Sequence, residues 1–256
     1  METKIVKVGN VAVGGKEIVV IAGPCSVETD EQVLSTARAV KKSGAKIFRG
    51  SLFKPRSSPD AFQGLGEKGI EFLLKARNET GMPLMSELMD SSQIAALSGV
   101  DCIQVGARSS QNFELLKQLA KTGKPVLLKN GLGNTAKEFI SASQYLPAEK
   151  VLLCLRGIRT FEAETRFTLD LGLIPVLKNL SGMPVVVDPS HAAGKRELVP
   201  ALAKAAIAAG ADALLIEVHP EPEKALSDSS QQLDFEEFEK LMQELKKIAS
   251  AVGRKI

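Results

Sequence analysis

Eight short apolar runs, each followed by an amphipathic stretch, constrain this chain more than any other feature. They fall at residues 18–23, 45–50, 83–87, 102–106, 125–129, 151–156, 184–188 and 213–218. Rich in Val, Ile and Leu and nearly continuous in hydrophobicity, they match parallel strands covered on both faces. The intervening pattern predicts helices over 30–43, 67–80, 91–98, 111–121, 135–145, 162–180 (with Pro175 as a potential break), 195–209 and 234–252. Eight βα units in 256 residues predict an α/β fold, a (β/α)8 TIM barrel, with an open doubly wound sheet as the alternative. Val/Ile alternation over residues 4–20, broken at Gly9-Asn10 and Gly14-Gly15, predicts a short β-hairpin ahead of the first barrel strand. The expected organisation is a hairpin extension over 1–17 and a single barrel over 18–256.

Composition narrows the function classes. With 33 Lys and Arg against 30 Asp and Glu, the net charge of +3 is too small to argue for nucleic acid. Tyr145 is the only tyrosine and there is no tryptophan, so platforms for stacking bases are scarce. Cys25, Cys102 and Cys154 are widely spaced and odd in number, which speaks against a disulfide framework. The start at Met1 leads into no signal-like apolar run, and no stretch reaches the length of a membrane span. The expected compartment is the cytoplasm.

In a barrel of this kind, function sits where the strands end. The strand ends here carry Gly23-Pro24-Cys25-Ser26, Arg49, Ser86-Glu87, Gly106-Ala107-Arg108, Lys129-Asn130, Arg156-Gly157, Asp188-Pro189-Ser190-His191 and Glu217-Val218-His219. Both histidines of the chain fall on this one rim. Behind the second strand, Pro55 biases Lys54 towards an extended geometry. Side chains two apart then point the same way, so Lys54 and Arg56 can reach one ligand, with the Ser57 hydroxyl beside them. Arg49, Lys54, Arg56, Arg108, Lys129 and Arg156 make six cations around one mouth. Unpaired, they imply ligands of several negative charges, a phosphate monoester bringing about two. Arg56 or Arg108 alone fits an ion pair to a neighbouring loop's Asp or Glu equally well, but the six together do not.

Cys25, His191 and Glu217, with Asp228 as a fourth candidate, offer a mixed S/N/O set. Thiolate is too soft for Mg²⁺ or Ca²⁺, so the set suits a divalent transition ion of the Mn, Fe, Co or Zn type. Taken singly, Cys25 reads as a buried thiol and His191 as a hydrogen-bonded loop residue. Glu217 and His219 share a strand face, which makes His219 a candidate to orient the set. Cys102 and Cys154 lie on inward strand faces and read as core thiols. Gly64-Leu65-Gly66-Glu67-Lys68-Gly69 matches G-x-G-x-x-G but follows a loop rather than a strand, so a turn before the second helix is the reading.

Several motifs in order carry a family likeness. Ile21-Ala22-Gly23-Pro24-Cys25-Ser26, Lys54-Pro55-Arg56-Ser57, Gln63-Gly64-Leu65-Gly66, Gly106-Ala107-Arg108, Asp188-Pro189-Ser190-His191 and Glu217-Val218-His219-Pro220 resemble the 3-deoxy-D-arabino-heptulosonate 7-phosphate (DAHP) synthases from about residue 18 to the end. The resemblance implies a barrel enzyme condensing phosphoenolpyruvate (PEP) with erythrose 4-phosphate, the first step of the shikimate pathway. It implies one divalent metal ion on Cys25, His191, Glu217 and Asp228, and a PEP site of Arg108, Lys129 and Arg156, with Ala107 in the same motif and Arg49 and Lys54 at the carboxylate. Arg56 and Ser57 would take the aldose phosphate, and Glu87 would line the PEP pocket. The family usually has threonine where this chain has Ser57.

The sister enzyme that makes 3-deoxy-D-manno-octulosonate 8-phosphate uses arabinose 5-phosphate and typically carries Lys-Ala-Asn-Arg-Ser. Here Lys54-Pro55-Arg56-Ser57 sets the arginine one residue nearer the lysine, which suits the shorter sugar. Cys25 argues for metal dependence, because metal-free sister enzymes carry asparagine there. Lys54 is the candidate general acid, with Cys25 and His191 as the other catalytic candidates; water activation falls to the metal or to Glu87. The resemblance further implies a homotetramer or homodimer of an unregulated core form; composition adds the expectation of no nucleic-acid or membrane partner. A Schiff-base aldolase using Lys129 or Lys54, and a non-catalytic phosphosugar-binding barrel, are the rival readings.

Overall fold

The computed structural model describes residues 3–56 and 58–256. A two-residue turn at Gly9-Asn10 joins strands β1 (Val6–Val8) and β2 (Val11–Val13) into the expected antiparallel hairpin. Eight parallel strands then close a barrel: β3 (Val19–Gly23), β4 (Ile47–Arg49), β5 (Leu84–Leu88), β6 (Cys102–Val105), β7 (Val126–Lys129), β8 (Val151–Leu155), β9 (Val185–Val187) and β10 (Ala213–Glu217). Neighbours in sequence are neighbours in the sheet, and β10 pairs with β3.

The helices are α1 (Asp30–Ser43), α2 (Ile70–Thr80), α3 (Phe113–Ala120), α4 (Ala136–Ser143), α5 (Leu173–Ser181), α6 (Pro189–Ala193), α7 (Val199–Ala208) and α8 (Phe235–Ala251). Three departures from the predicted helices have local causes. Residues 91–98 form a chain of turns with bonds to the third residue back, such as Leu97 N–H to Ile94 O and Val100 N–H to Leu97 O, behind an Asp90/Gln93 capping box. The helix predicted over 162–180 starts only at Leu173. Ahead of it Ile158 and Thr168 exchange backbone hydrogen bonds, and Arg166 and Phe167 donate theirs to Ala193 and Ala192, which leaves no ladder for a helix. Pro175 sits in the first turn of α5, where its missing N–H costs nothing. Finally, Asp188 caps the unpredicted α6 through the N–H of His191, with Pro189 at the first position.

Period-two alternation sorts the strands. Val20, Ala22, Phe48, Ile103, Leu128, Leu153, Val187 and Ile216 face the helices, whereas Val19, Ile21, Ile47, Met85, Cys102, Leu127, Leu152, Cys154, Val186 and Leu215 fill the interior. Both core-thiol readings agree with this placement. Val6, Val8 and Val13 of the hairpin join the interior cluster. Gly9 lies against Pro83 and Gly14 against Pro184, so the hairpin closes the end where strands begin. At the opposite end the next inward positions are Arg49, Glu87, Lys129, Arg156, Asp188 and Glu217, all at 5% exposure or less. The change from apolar to ionisable within one pleat defines the mouth.

If the hairpin seals the barrel floor, truncating its buried face costs core energy while its exposed face is silent. Val8→Ala is expected to lose about 2 kcal/mol, a drop in Tm of ~4–8 °C for a chain of this size. Lys7→Ala is the control; equal melting of the two variants in a thermal scan contradicts this role.

Candidate active site

The mouth is organised by two carboxylates with essentially no exposure. Glu217 ends β10 and accepts Arg49 Nη1 at 2.6 Å and Gln231 Nε2 at 2.7 Å. Asp188, just past β9, accepts Lys129 Nζ at 2.7 Å and the His191 N–H at 2.9 Å. Burial alone would raise both carboxyl groups. His191 and Lys129 outweigh it and hold Asp188 well below the usual carboxylate range, and His191 and Arg49 do the same, less strongly, for Glu217. Arg49 completes its contacts with the Cys25 carbonyl and Ser51 Oγ. The expectation of six cations left for ligands is therefore too high: Arg49, Lys129 and Lys54 face the buried carboxylates of Glu217, Asp188 and Glu87.

His191 stands between the two. Its Nδ1 lies 2.8 Å from Asp188 Oδ2, off the hydrogen-bond direction, and its Nε2 lies 3.6 Å from both Glu217 Oε1 and Asp228 Oδ2. Cys25 Sγ donates to Asp228 Oδ2 at 3.2 Å and accepts Lys54 Nζ at 3.1 Å. The candidate ligand atoms of Cys25, His191, Glu217 and Asp228 all lie within 4.8 Å of one another. Burial, Glu217 and Asp228 push the Cys25 thiol far up despite Lys54 and Arg49. A thiol, an imidazole nitrogen and two carboxylates facing one point, with one carboxylate behind the ring, fit a divalent ion, which would favour the thiolate.

Above this group lies a cavity of about 330 Å³ lined by Lys54, Arg56, Glu87, Ala107, Arg108, Lys129 and Arg156 among others. Lys54 is held up against the cavity floor. Gly64 makes this possible: at φ +95° its missing Cβ lets the Leu52 carbonyl approach, and Lys54 N–H bonds to Gln63 O. Burial would lower the Lys54 ammonium, but Cys25, Glu87, Glu217 and Asp228 together raise it, so it stays charged. Glu87 Oε2 is 4.0 Å from it. Arg156 stacks over Phe167 at 3.6 Å, and burial, with Arg166 and Arg108 nearby, lowers it to about 10 despite Asp188. Arg49 lies beneath the wall at 1% exposure. Ser57 lies outside the described residues.

Sequence reasoning missed Asp188, Arg159, Arg166, Phe167 and Gln231. Asp188 was signalled by its inward spacing from Val186, and the others fall in loops whose paths no periodicity reports. His219 departs from expectation: β10 ends at Glu217, and the His219 ring faces Glu28 at 3.4 Å and accepts the Glu221 N–H.

The model of the DAHP synthetase I family matches residues 2–252. This chain belongs to that family. It is 47% identical, over its full length and 77% of the relative's, to the phospho-2-dehydro-3-deoxyheptonate aldolase of Thermotoga maritima. A crystal structure of that Thermotoga enzyme superposes with a TM-score of 0.95, covering 99% of this chain and 76% of the other. A truncated form of 3-deoxy-D-arabino-heptulosonate 7-phosphate synthase from the same organism gives 0.92 at 44% identity, over 99% and 95% of the two chains. The 2-dehydro-3-deoxyphosphooctonate aldolase of Syntrophotalea carbinolica is more distant, 32% identical over 96% of each. Members of this DAHP synthetase family are generally metal-dependent, in keeping with the donor group at the mouth.

Burial raises all three thiols, Cys102 to about 12 and the others beyond it. The metal-free folded enzyme is therefore expected to react with a disulfide reagent at neutral pH only as fast as it opens, while the guanidinium-unfolded chain titrates three thiols at once. Rapid reaction of one thiol in the folded protein contradicts the buried placement of Cys25.

Proposed function

We propose that this chain condenses PEP with erythrose 4-phosphate to give DAHP and phosphate, the entry step of the shikimate pathway, as a cytoplasmic homotetramer or homodimer. The observation that carries the reading is the juxtaposition of an S/N/O donor group with a cationic cavity under one barrel mouth. The family membership and the Thermotoga relative point to the same chemistry. Among the described residues no helix is long and apolar enough to cross a membrane.

In this reading Arg108, Lys129 and Arg156 take the phosphate and carboxylate of PEP, with Ala107 at the wall and Arg49 acting from beneath. Arg56 and Ser57 take the aldose phosphate. Holding two anions side by side supplies much of the rate, since the bimolecular encounter becomes a positioned one. A carbon–carbon bond forms between PEP C3 and the aldehyde carbon, water adds at PEP C2, and phosphate leaves with cleavage of its C–O bond. The aldehyde oxygen gains negative charge as the bond forms. Lys54, kept protonated by its acidic surroundings, is placed to give that oxygen a proton. Glu87, 5% exposed on the cavity wall, is the carboxylate that takes the proton of the adding water. Cys25, His191, Glu217 and Asp228 hold one divalent ion of the Mn, Fe, Co or Zn type. When bound, that ion supplies Lewis-acid stabilisation of developing oxygen charge.

Asp188 and Lys129 serve this scheme indirectly as well. Asp188 orients the His191 ring and, by pairing with Lys129, fixes where that ammonium enters the cavity. The shorter Lys54-Pro55-Arg56 spacing favours the four-carbon aldose over arabinose 5-phosphate. A Schiff base at Lys54 or Lys129 fits less well, since each ammonium is already engaged, Lys54 by Cys25 Sγ with Glu87 close by and Lys129 by Asp188.

The test is PEP-dependent phosphate release with erythrose 4-phosphate or arabinose 5-phosphate, each with and without a chelator. The expected result is a preference of at least ~10-fold in kcat/KM for the four-carbon sugar, abolished by chelation and restored by Mn²⁺. Preference for the five-carbon sugar contradicts the aldose assignment, and turnover after complete metal removal contradicts the metal assignment.

A further inference from the structure

We propose that Arg166 is a positioning residue that holds the metal-ligand loop against the helix carrying His191; the inference rests on the metal-site reading above. Arg166 lies on the loop between β8 and α5. Its Nη1 donates to Gln231 Oε1 at 2.8 Å and to Asp228 Oδ1 at 3.3 Å. Gln231 passes the link on, donating Nε2 to Glu217 Oε2 at 2.7 Å. On its other side Arg166 is fastened to α6 by its N–H to the Ala193 carbonyl. Close approach there depends on Gly194, where a Cβ would stand 2.4 Å from Arg166 Cβ. One residue, by its backbone on one side and its guanidinium on the other, thus joins the segments that bear His191, Asp228 and, at one remove, Glu217.

Asp228 has reason to need such a clamp. At φ +47° it is the only described residue other than glycine with positive φ, a conformation that side chains disfavour and that surroundings must enforce. The Asp228 oxygen that Arg166 holds is Oδ1, while Oδ2 faces Cys25 Sγ and His191 Nε2. Arg166 therefore occupies the far side of the carboxylate and turns its other oxygen towards the donor group. A substrate cation is the competing role, since Arg166 also lines the cavity.

Charge separates the two roles. Removing a cation beside a dication site favours metal binding by simple Coulomb repulsion, whereas losing a positioning contact weakens it, typically ~10–100-fold. Co²⁺ is titrated into metal-free wild type, Arg166→Met and Arg166→Lys, following the thiolate-to-cobalt absorption band. PEP affinity of the metal-free proteins is measured by calorimetry, and thermal scans check folding. The expected result is Co²⁺ affinity reduced at least ~10-fold in Arg166→Met and largely recovered in Arg166→Lys, whose ammonium can serve both acceptors, with PEP affinity unchanged. Unaltered or tighter Co²⁺ binding in a folded Arg166→Met protein overturns the proposal, as does a loss confined to PEP. Absence of the cobalt band in wild type fails the metal-site reading itself and is distinguishable from both.

Discussion

Two carboxylates with no solvent to share their charge set the terms for this mouth. Removing one partner of such a buried pair costs about 3–5 kcal/mol, because the other charge is left stranded. Asp188 is therefore bound to Lys129 and to His191, and Glu217 to Arg49. The pairs do little for net stability compared with an apolar core. What they supply is direction: the oxygen that takes the cation, Asp188 Oδ2 from Lys129 and Glu217 Oε1 from Arg49, is on each carboxylate also the one nearest the His191 ring. The imidazole is thereby fixed with one nitrogen against Asp188 and the other facing Glu217 and Asp228.

The barrel makes that arrangement possible through one regularity. Inward positions are apolar along each strand until the last one, where a charged residue takes over on six of the eight. Cys154 and Arg156 show the step on β8 and its exit, and Leu215 and Glu217 show it on β10. Below the step, the hairpin valines complete a dry interior. Above it, burial and charged neighbours compete: acidic neighbours outweigh burial and raise the Lys54 ammonium, whereas burial, with Arg166 and Arg108 nearby, lowers the Arg156 guanidinium. The loops then add what the strands cannot: Cys25 after β3, Asp228 after β10, and the Arg166-Phe167 pair between them.

Those contributions differed in how far the sequence announced them. Strand ends were legible because hydrophobic runs stop abruptly at residues such as Arg49, Lys129 and Glu217, and period two assigns their face. The convergence of Cys25, His191, Glu217 and Asp228 followed from the family likeness more than from spacing, since Asp228 lies in a connection with no periodicity. Pairing was invisible: whether Arg49 faces a substrate or Glu217 depends on barrel closure, which brings β10 to the other side of β3 from β4. The segment 162–172 misled because its apolar residues fall at helical spacing, while in the fold its N–H groups bond to Ile158, Ala192 and Ala193. His219 misled for the simpler reason that strand alternation ends at Glu217.

The central claim is that buried charge pairs orient one sulfur, one nitrogen and two carboxylates towards a single ion. X-ray absorption at the metal edge of the zinc-loaded enzyme tests it most directly. The account predicts one sulfur neighbour at about 2.3 Å with the remaining ligands nitrogen and oxygen at about 2.0–2.2 Å. A shell of nitrogen and oxygen alone would place the ion away from Cys25 and contradict the account.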